Sequence, residues 1–234
     1  MPTAFVAGAT GYTGRAVVNA LVDAGVDTWA HVRPDSSRLD TWGRRFEDLG
    51  AHVDTTAWDP DALNARFTAL SPDAVFGCLG TTKKRIARET AQGRPPSYQS
   101  VDYGLTVMLH AAAEVCGSTP RFVYVSSAGA KPGGEGSYLG ARWAVEQTLI
   151  GSHLPYTIAR PSFITGYDRD EDRPAERIGA AMSDGMLRFV GALGAKSLRD
   201  RYLSTTNTIL GAALARLAFE PDAAGKIIES EGLR

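Results

Sequence analysis

Cysteine is scarce in this chain of 234 residues: there are two, Cys78 and Cys116. Cys78 falls in an apolar strand-like run and Cys116 at a helix end, so both read as small buried hydrophobes, and a disulfide framework is excluded. Charge of one sign is lacking too. With 25 basic and 26 acidic residues the formal net charge is −1, so no global field draws the chain to nucleic acid or to a membrane surface. No apolar run approaches the ~20 residues of a spanning helix. The N-terminus has no basic-then-apolar leader pattern, which together sets the expectation of a cytoplasmic protein. The histidines His31, His52, His110 and His153 are scattered without ligand spacing, so no metal site is expected. A Gly-Lys-Ser/Thr phosphate loop and a basic helix suited to DNA are also missing. What is plentiful is core material. At 44% hydrophobic residues the chain can bury a full core as a single domain over 1–234.

The most informative run is Gly8-Ala9-Thr10-Gly11-Tyr12-Thr13-Gly14. Its glycines fall at i, i+3 and i+6, directly after the apolar Ala4-Phe5-Val6-Ala7 and before the helical pattern Ala16-Val17-Val18-x-x-Leu21-Val22. Strand, glycine turn and helix in that order form a dinucleotide-binding fingerprint. Gly8 allows a tight turn off the strand, Gly11 lets backbone amides approach a pyrophosphate, and Gly14 lets the helix pack closely. The helix start adds N–H donors and a positive dipole end for phosphate, with Thr10, Tyr12 and Thr13 beside it.

Beyond this motif, short β-branched or aromatic runs alternate with segments of 3.6-residue period. The spacing predicts strands at Thr3–Ala7, Thr28–Arg33, His52–Ala57, Ala74–Leu79, Arg121–Ser126 and Tyr156–Arg160. It predicts helices at Gly14–Ala24, Arg38–Leu49, Pro60–Leu70, Tyr98–Val115 and Tyr138–Ile150. Such alternation implies βαβ crossovers and a doubly wound parallel sheet with helices on both faces. Two stretches break the rhythm: Thr81–Ser97, which is basic, and Tyr167–Arg177, dense in Asp, Glu and Arg. Both follow strands and so emerge at the carboxyl edge where such sheets bind ligands, either as substrate-facing loops or as solvated connections.

The end of the second strand distinguishes the cofactors. NAD sites place an acidic residue about 20 positions past the glycine motif to hold the ribose 2′-hydroxyl. Here Arg33 stands nineteen residues after Gly14. A guanidinium suits a 2′-phosphate, and Ser36, Ser37 and Arg38 can add donors, so NADP(H) is favoured over NAD(H). Asp35 competes from beyond Pro34. Asp59 can accept from an adenine amino group or cap the next helix. At the fourth strand's end, Leu79-Gly80-Thr81 offers close backbone approach and a hydroxyl for phosphate or ribose.

The fifth strand delivers Ser126-Ser127 to the same edge, and Tyr138 opens a helix eleven residues after Ser127. With these residues in place the chain resembles the atypical, NAD(P)H-binding short-chain dehydrogenase/reductases, nearest to the Tat-interacting oxidoreductase-like group, and hence a Rossmann fold. The matching signatures are Gly8–Arg15, Cys78–Thr82, Val101-Asp102, Val125–Ala130, Tyr138-Leu139 and Arg160-Pro161 with Asp168–Pro174, spread in order over about three quarters of the sequence. The resemblance implies that Tyr138 is the general acid protonating a carbonyl oxygen, and that Ser127 hydrogen-bonds the carbonyl and the developing alkoxide. A phenol of ordinary pKa ~10 needs positive charge nearby for that task. In these relatives a lysine one helical turn on binds ribose and supplies that charge; here Arg142 stands in its place. The i, i+4 spacing keeps a cation on the same helix face, but a guanidinium cannot pass on a proton. The departure bears on turnover rather than on binding.

Related nucleotide-sugar epimerases add a large C-terminal domain, whereas 96 residues follow Tyr138 here. A small lid over 161–205 is expected instead, with an amphipathic helix at Ile178–Leu187. A further helix at Thr205–Leu217 and a last strand at Lys226–Ile228 complete the reading. A small or flat apolar substrate follows by fold-level analogy. Two function classes stand open. One is an NADPH-dependent reductase of a small carbonyl, quinone or flavin-like acceptor. The other is a non-catalytic NADP(H)-binding regulator acting through a protein partner.

Overall fold

The computed structural model describes residues 1–81, 86, 91–93, 98–133, 137–162, 164–165 and 205–234. A seven-stranded, wholly parallel sheet forms its centre, built from β1 (Thr3–Ala7), β2 (Asp27–His31), β3 (His52–Asp54), β4 (Ala74–Gly77), β5 (Arg121–Val125), β6 (Tyr156–Arg160) and β9 (Lys226–Glu229). Its order is β3-β2-β1-β4-β5-β6-β9, and every pairing is parallel. This is the Rossmann-like α/β fold. Strand order reverses between β1 and β4, and the crevice at that switch point, outside the strands' carboxyl ends, is where such sheets take ligands. A minor parallel pair joins β7 (Ile164–Thr165) to β8 (Thr205–Thr206).

The central strands are apolar at successive positions because helices cover both faces. Side-chain alternation divides the interior into two layers. Ala4, Val6, Phe76, Val123 and Val125 face α1 (Tyr12–Asp23), α2 (Leu39–Leu49) and α6 (Asn207–Phe219), packing against Val17, Leu21, Phe46, Leu210 and Leu214. Phe5, Val75, Phe122 and Tyr124 face α3 (Pro60–Leu70), α4 (Thr106–Val115) and α5 (Tyr138–Ile150), packing against Phe67, Leu109, Val145 and Leu149. Helices α1 and α6 approach so closely at Gly211 that a Cβ there would lie 2.6 Å from the Ala16 backbone.

Three differences from the sequence expectation matter for the site. Helix α1 begins at Tyr12 with Gly11 as its N-cap, two residues earlier than the apolar periodicity marks it. The segment Tyr98–Val115 is helical throughout, but Tyr98–Leu105 is wound as a π-helix before α4. Cys78 lies just past β4, which ends at Gly77. The amphipathic helix at Ile178–Leu187, most of the lid over 161–205, the loop Tyr167–Arg177 and most of Thr81–Ser97 lie outside the described residues.

Candidate functional site

At the switch point the chain leaves β1 through Gly8, whose φ of +78° is strained for any side chain, and a Cβ there would meet the Cys78 carbonyl oxygen at 2.5 Å. The Gly11 amide donates to the Gly8 carbonyl at 2.9 Å and closes the turn. The first intrahelical bond then runs from Arg15 N–H to the Gly11 carbonyl at 3.0 Å. The amides of Tyr12, Thr13 and Gly14 come before it, at the positive end of α1. A Cβ on Gly14 would collide with the backbone of Gly8 and Ala9, so this glycine serves close packing of the helix on the turn itself. Gly11 is different: its Cβ direction meets only the Gly8 carbonyl oxygen, at 3.1 Å.

A cavity of about 340 Å³ opens beside this turn. Gly8, Thr10 and Gly11 form its middle; Arg33, Ser36, Ser37 and Arg38 wall the β2 side; Cys78, Leu79 and Gly80 wall the β4 side. Arg33 is half-exposed, with 51% of its side chain open, and sits 3.4 Å from Asp35. The Arg38 guanidinium lies over the Trp42 ring at 5.3 Å, and the Ser36 hydroxyl accepts from the Arg38 amide at 3.3 Å. His31 and Trp58 close the cavity in edge-to-face contact at 5.0 Å. The Nε2–H of His31 donates to the Thr56 carbonyl at 2.8 Å, and burial lowers its pKa against the raising pull of that bond and of Asp54. Burial pushes the Cys78 thiol up to about 12, so it stays protonated.

Of the two sequence readings of Asp59, the helix cap is the one the structure displays. Its carboxylate caps α3 by accepting from the Ala62 amide at 3.0 Å, and the neighbouring Trp58 is what lines the cavity. A larger cleft, of about 1070 Å³, runs between α1 and α6 past Pro2, Asn19 and Phe219 and contains no residue of the turn from Gly8 to Gly14.

On the β5 side, Ser127 is half-buried and its hydroxyl contacts the Ala128 carbonyl at 3.4 Å. Tyr138 is the first residue of α5, whose cap is the Ser137 hydroxyl accepting from the Gly140 amide at 3.0 Å. Its ring meets Tyr98 of the π-helix at 5.4 Å. The expected i, i+4 cation is there: the Arg142 guanidinium lies 5.2 Å from the Tyr138 ring centre. It does not line the cavity, and neither do Ser127 and Tyr138. Arg142 is buried and pairs with Asp102 at 2.9 Å. It also donates to the Val125 carbonyl at 2.8 Å and to the Tyr124 hydroxyl at 3.2 Å. Burial alone would lower its pKa, but Tyr124, Tyr138 and Asp102 hold it above the usual arginine value. Burial also pushes the Tyr124 phenol up to about 12.

Asp102, noted in sequence only as part of a signature, therefore organises this side. Its second oxygen accepts from the Thr81 amide at 3.0 Å, anchoring the turn after β4. A second buried network lies behind it. Glu146 is fully buried, accepts from the Ser126 hydroxyl at 2.5 Å and holds Arg160 through both carboxylate oxygens at 2.9 and 2.6 Å. Arg160 reaches on to Glu229 of β9 at 3.2 Å. No sequence spacing signals either network, because their members lie on different elements. Among the described residues no cluster of three His, Cys, Asp or Glu is placed to hold a metal, and no helix is long and apolar enough to cross a membrane.

A Rossmann-like sheet whose switch point carries a glycine turn, a helix start and a polar cavity defines a dinucleotide-binding domain. The family follows: a profile described as NAD(P)H-binding matches residues 8–215, and the chain belongs to that family, among the atypical short-chain dehydrogenase/reductase and epimerase-like proteins. Relatives are distant. The mitochondrial protein FMP52 of Coccidioides immitis is 27% identical over 97% of this chain and 92% of its own length. The chloroplastic protein TIC 62 of Oryza sativa subsp. japonica is 29% identical over 81% of this chain and 40% of its own length. Among solved structures, a putative NAD-dependent epimerase/dehydratase from Bacillus halodurans superposes with a TM-score of 0.66 at 20% identity, covering 99% of this chain and 97% of the other. An isoflavone reductase structure superposes with a TM-score of 0.64 at 15% identity, covering 99% and 73%.

Proposed function

We propose that this protein is an NADP(H)-dependent oxidoreductase that reduces a small carbonyl, quinone or flavin-like acceptor. The observation that carries the reading is the cavity joining the glycine turn to Arg33, Ser36, Ser37 and Arg38 on one side and to Leu79-Gly80 on the other. The fit to a dinucleotide is local and chemical. Gly11 lines the cavity at the start of α1, where backbone amides can meet phosphate, and two guanidiniums with two hydroxyls suit a 2′-phosphate. His31 and Trp58 supply flat walls beside the adenosine half.

Bound NADPH supplies the hydride. Tyr138 holds the proton for the acceptor oxygen, Ser127 orients that oxygen, and the turn Leu79–Thr81 presents backbone to the cofactor's far half. A substrate that is small, flat and apolar follows from the analogy with the fold's reductases.

A second reading, an NADP(H)-binding regulator read by a protein partner, is favoured by one observation: the helix cation is buried against Asp102 rather than turned to the cavity. NADPH oxidation measured against aldehydes, ketones, quinones and flavins separates the two. The oxidoreductase reading expects turnover with at least one class, reduced roughly 10²–10⁴-fold by Tyr138→Phe at unchanged NADPH affinity. Tight NADPH binding with no oxidation across the panel gives the regulator reading instead. A rate untouched by Tyr138→Phe assigns the proton to another group.

A further inference from the structure

The π-helix Tyr98–Leu105 and helix α5 are joined through one buried ion pair, Asp102 to Arg142 at 2.9 Å. Asp102 is fully buried and Arg142 nearly so. The pair is tied into its surroundings at both ends. One Asp102 oxygen accepts from the Thr81 amide at 3.0 Å, and the Arg142 guanidinium reaches the Val125 carbonyl and the Tyr124 hydroxyl while lying beside the Tyr138 ring. Gly80 completes the contact, since a Cβ there would stand 2.9 Å from the Arg142 Nη2 atom. The turn Leu79–Thr81 therefore rests on the guanidinium, and a side chain at Gly80 would have to displace Arg142 from its bonds to Asp102, Tyr124 and Val125.

We propose that Asp102 and Arg142 act as one buried brace of positioning residues, which holds the cofactor-side turn Leu79–Thr81 and the ring of Tyr138 in fixed relation. This rests on the NADP(H) reading above and deepens it. The guanidinium does not replace a ribose-binding ammonium. The planar fork meets Tyr124 and Val125 through one terminal nitrogen and Asp102 through the other, a spread that a lysine's donors, all on one nitrogen, do not reproduce. The π winding contributes by carrying Asp102 and Tyr98 toward α5 on one segment, a distortion that often marks functional positions in helices.

The brace touches one half of the cofactor site. Along the sheet edge the β2 end, with Arg33, lies on one side of the glycine turn, and the β4 end, with Gly80, lies on the other. Loss of the brace should thus weaken ligands that reach across the turn and spare those confined to the β2 side. Adenosine 2′,5′-bisphosphate is such a confined probe.

The test is a fluorescence titration of the full chain with NADPH and with adenosine 2′,5′-bisphosphate. The proteins are the parent, Asp102→Ala, Asp102→Asn, Arg142→Gln and the double variant Asp102→Asn with Arg142→Gln, each also melted thermally. Asp102→Ala should weaken NADPH about tenfold, the worth of one hydrogen bond to a charged group, and leave the bisphosphate unchanged. Each single neutral variant strands one buried partner. The double variant should therefore recover NADPH affinity and melting temperature relative to both. Equal losses for NADPH and the bisphosphate, no loss for either, or a double variant no better than the singles each overturn the brace. A parent protein that binds neither probe overturns the NADP(H) reading itself. The melting cycle then still reports whether Asp102 and Arg142 are coupled, and additive melting losses overturn the pairing.

Discussion

On the β2 side of the glycine turn the cavity is walled by backbone amides and half-open polar side chains, whereas on the β5 side Asp102, Arg142 and Glu146 are buried and paired with each other or with close neighbours. The first arrangement meets a charged ligand with groups that water already solvates, so binding replaces solvent at small cost. The second keeps its charges for itself. A buried ion pair contributes little net stability, yet removing one partner leaves a charge that nothing compensates. One side is thus built to receive a ligand and the other to hold geometry. Substitutions should divide accordingly: those on the β2 side change affinity at little cost in stability, and those at packed positions change stability, with affinity following where they support the cofactor-side turn.

The largest effect is expected at Gly14, where a side chain would overlap the Gly8 carbonyl and neither backbone can yield. Gly14→Val should cost about 3 kcal/mol or more, a fall in melting temperature of roughly 6–12 °C for a chain of this size. A melting curve matching the parent would show that the turn is far more compliant than its packing implies.

Next come the two arginines of the β2 side. Arg33→Ala and Arg38→Ala should each weaken NADPH by roughly ten- to hundredfold and leave NADH almost unchanged, since only the former carries the 2′-phosphate. Arg38 is held over Trp42 while Arg33 is half-exposed beside Asp35. The more preorganised Arg38 should therefore show the larger loss, because less side-chain freedom is lost on binding. Isothermal titration of both variants with both cofactors ranks them, and equal NADPH and NADH losses would remove the 2′-phosphate from this wall.

The smallest effect concerns pH. Burial sets the folded pKa of His31 below its unfolded value of ~6.5. Below that pH the unfolded chain takes up the proton first, so stability is complete above about 6.5 and falls as pH drops toward the folded value. Burial acts on His110 in the same direction, partly offset by Glu114. His31→Gln should flatten the decline between pH 7 and 5. Parallel melting profiles for parent and variant would place the acid sensitivity elsewhere.

The difference between the two sides also explains what was legible in the sequence. The glycine turn could be read because its function lies in backbone conformation, and backbone demands leave glycines at fixed intervals. Strands β1, β4 and β5 were legible for a related reason: central parallel strands are continuous apolar runs. Arg142 was placed on the correct helix face by its distance from Tyr138, but its partner stands 40 residues earlier on another element. Helical period assigns a face and says nothing of what waits across from it. The π winding of Tyr98–Leu105 was hidden because eight residues are too few to separate its period from 3.6. Asp59 before Pro60 reads equally as ligand contact and as cap, and its bond from the Ala62 amide at the helix start displays the cap. Glu146 looks like any helix-surface acid until β6 brings Arg160 beneath it.

The central claim is that the cavity beside Gly11 binds NADP(H) through backbone at the glycine turn. Fluorescence titration of the parent and of Gly11→Val with NADPH and NADH tests it most directly. A Cβ at Gly11 meets the Gly8 carbonyl oxygen at 3.1 Å, a tight contact that the turn must relax by a few tenths of an ångström, so the variant should fold with a lowered melting temperature, recorded beside each titration. The expected result is NADPH binding at least about tenfold tighter than NADH in the parent, and no measurable binding of either by the folded variant. NADPH binding that survives Gly11→Val intact, or a parent that binds neither nucleotide, would contradict it.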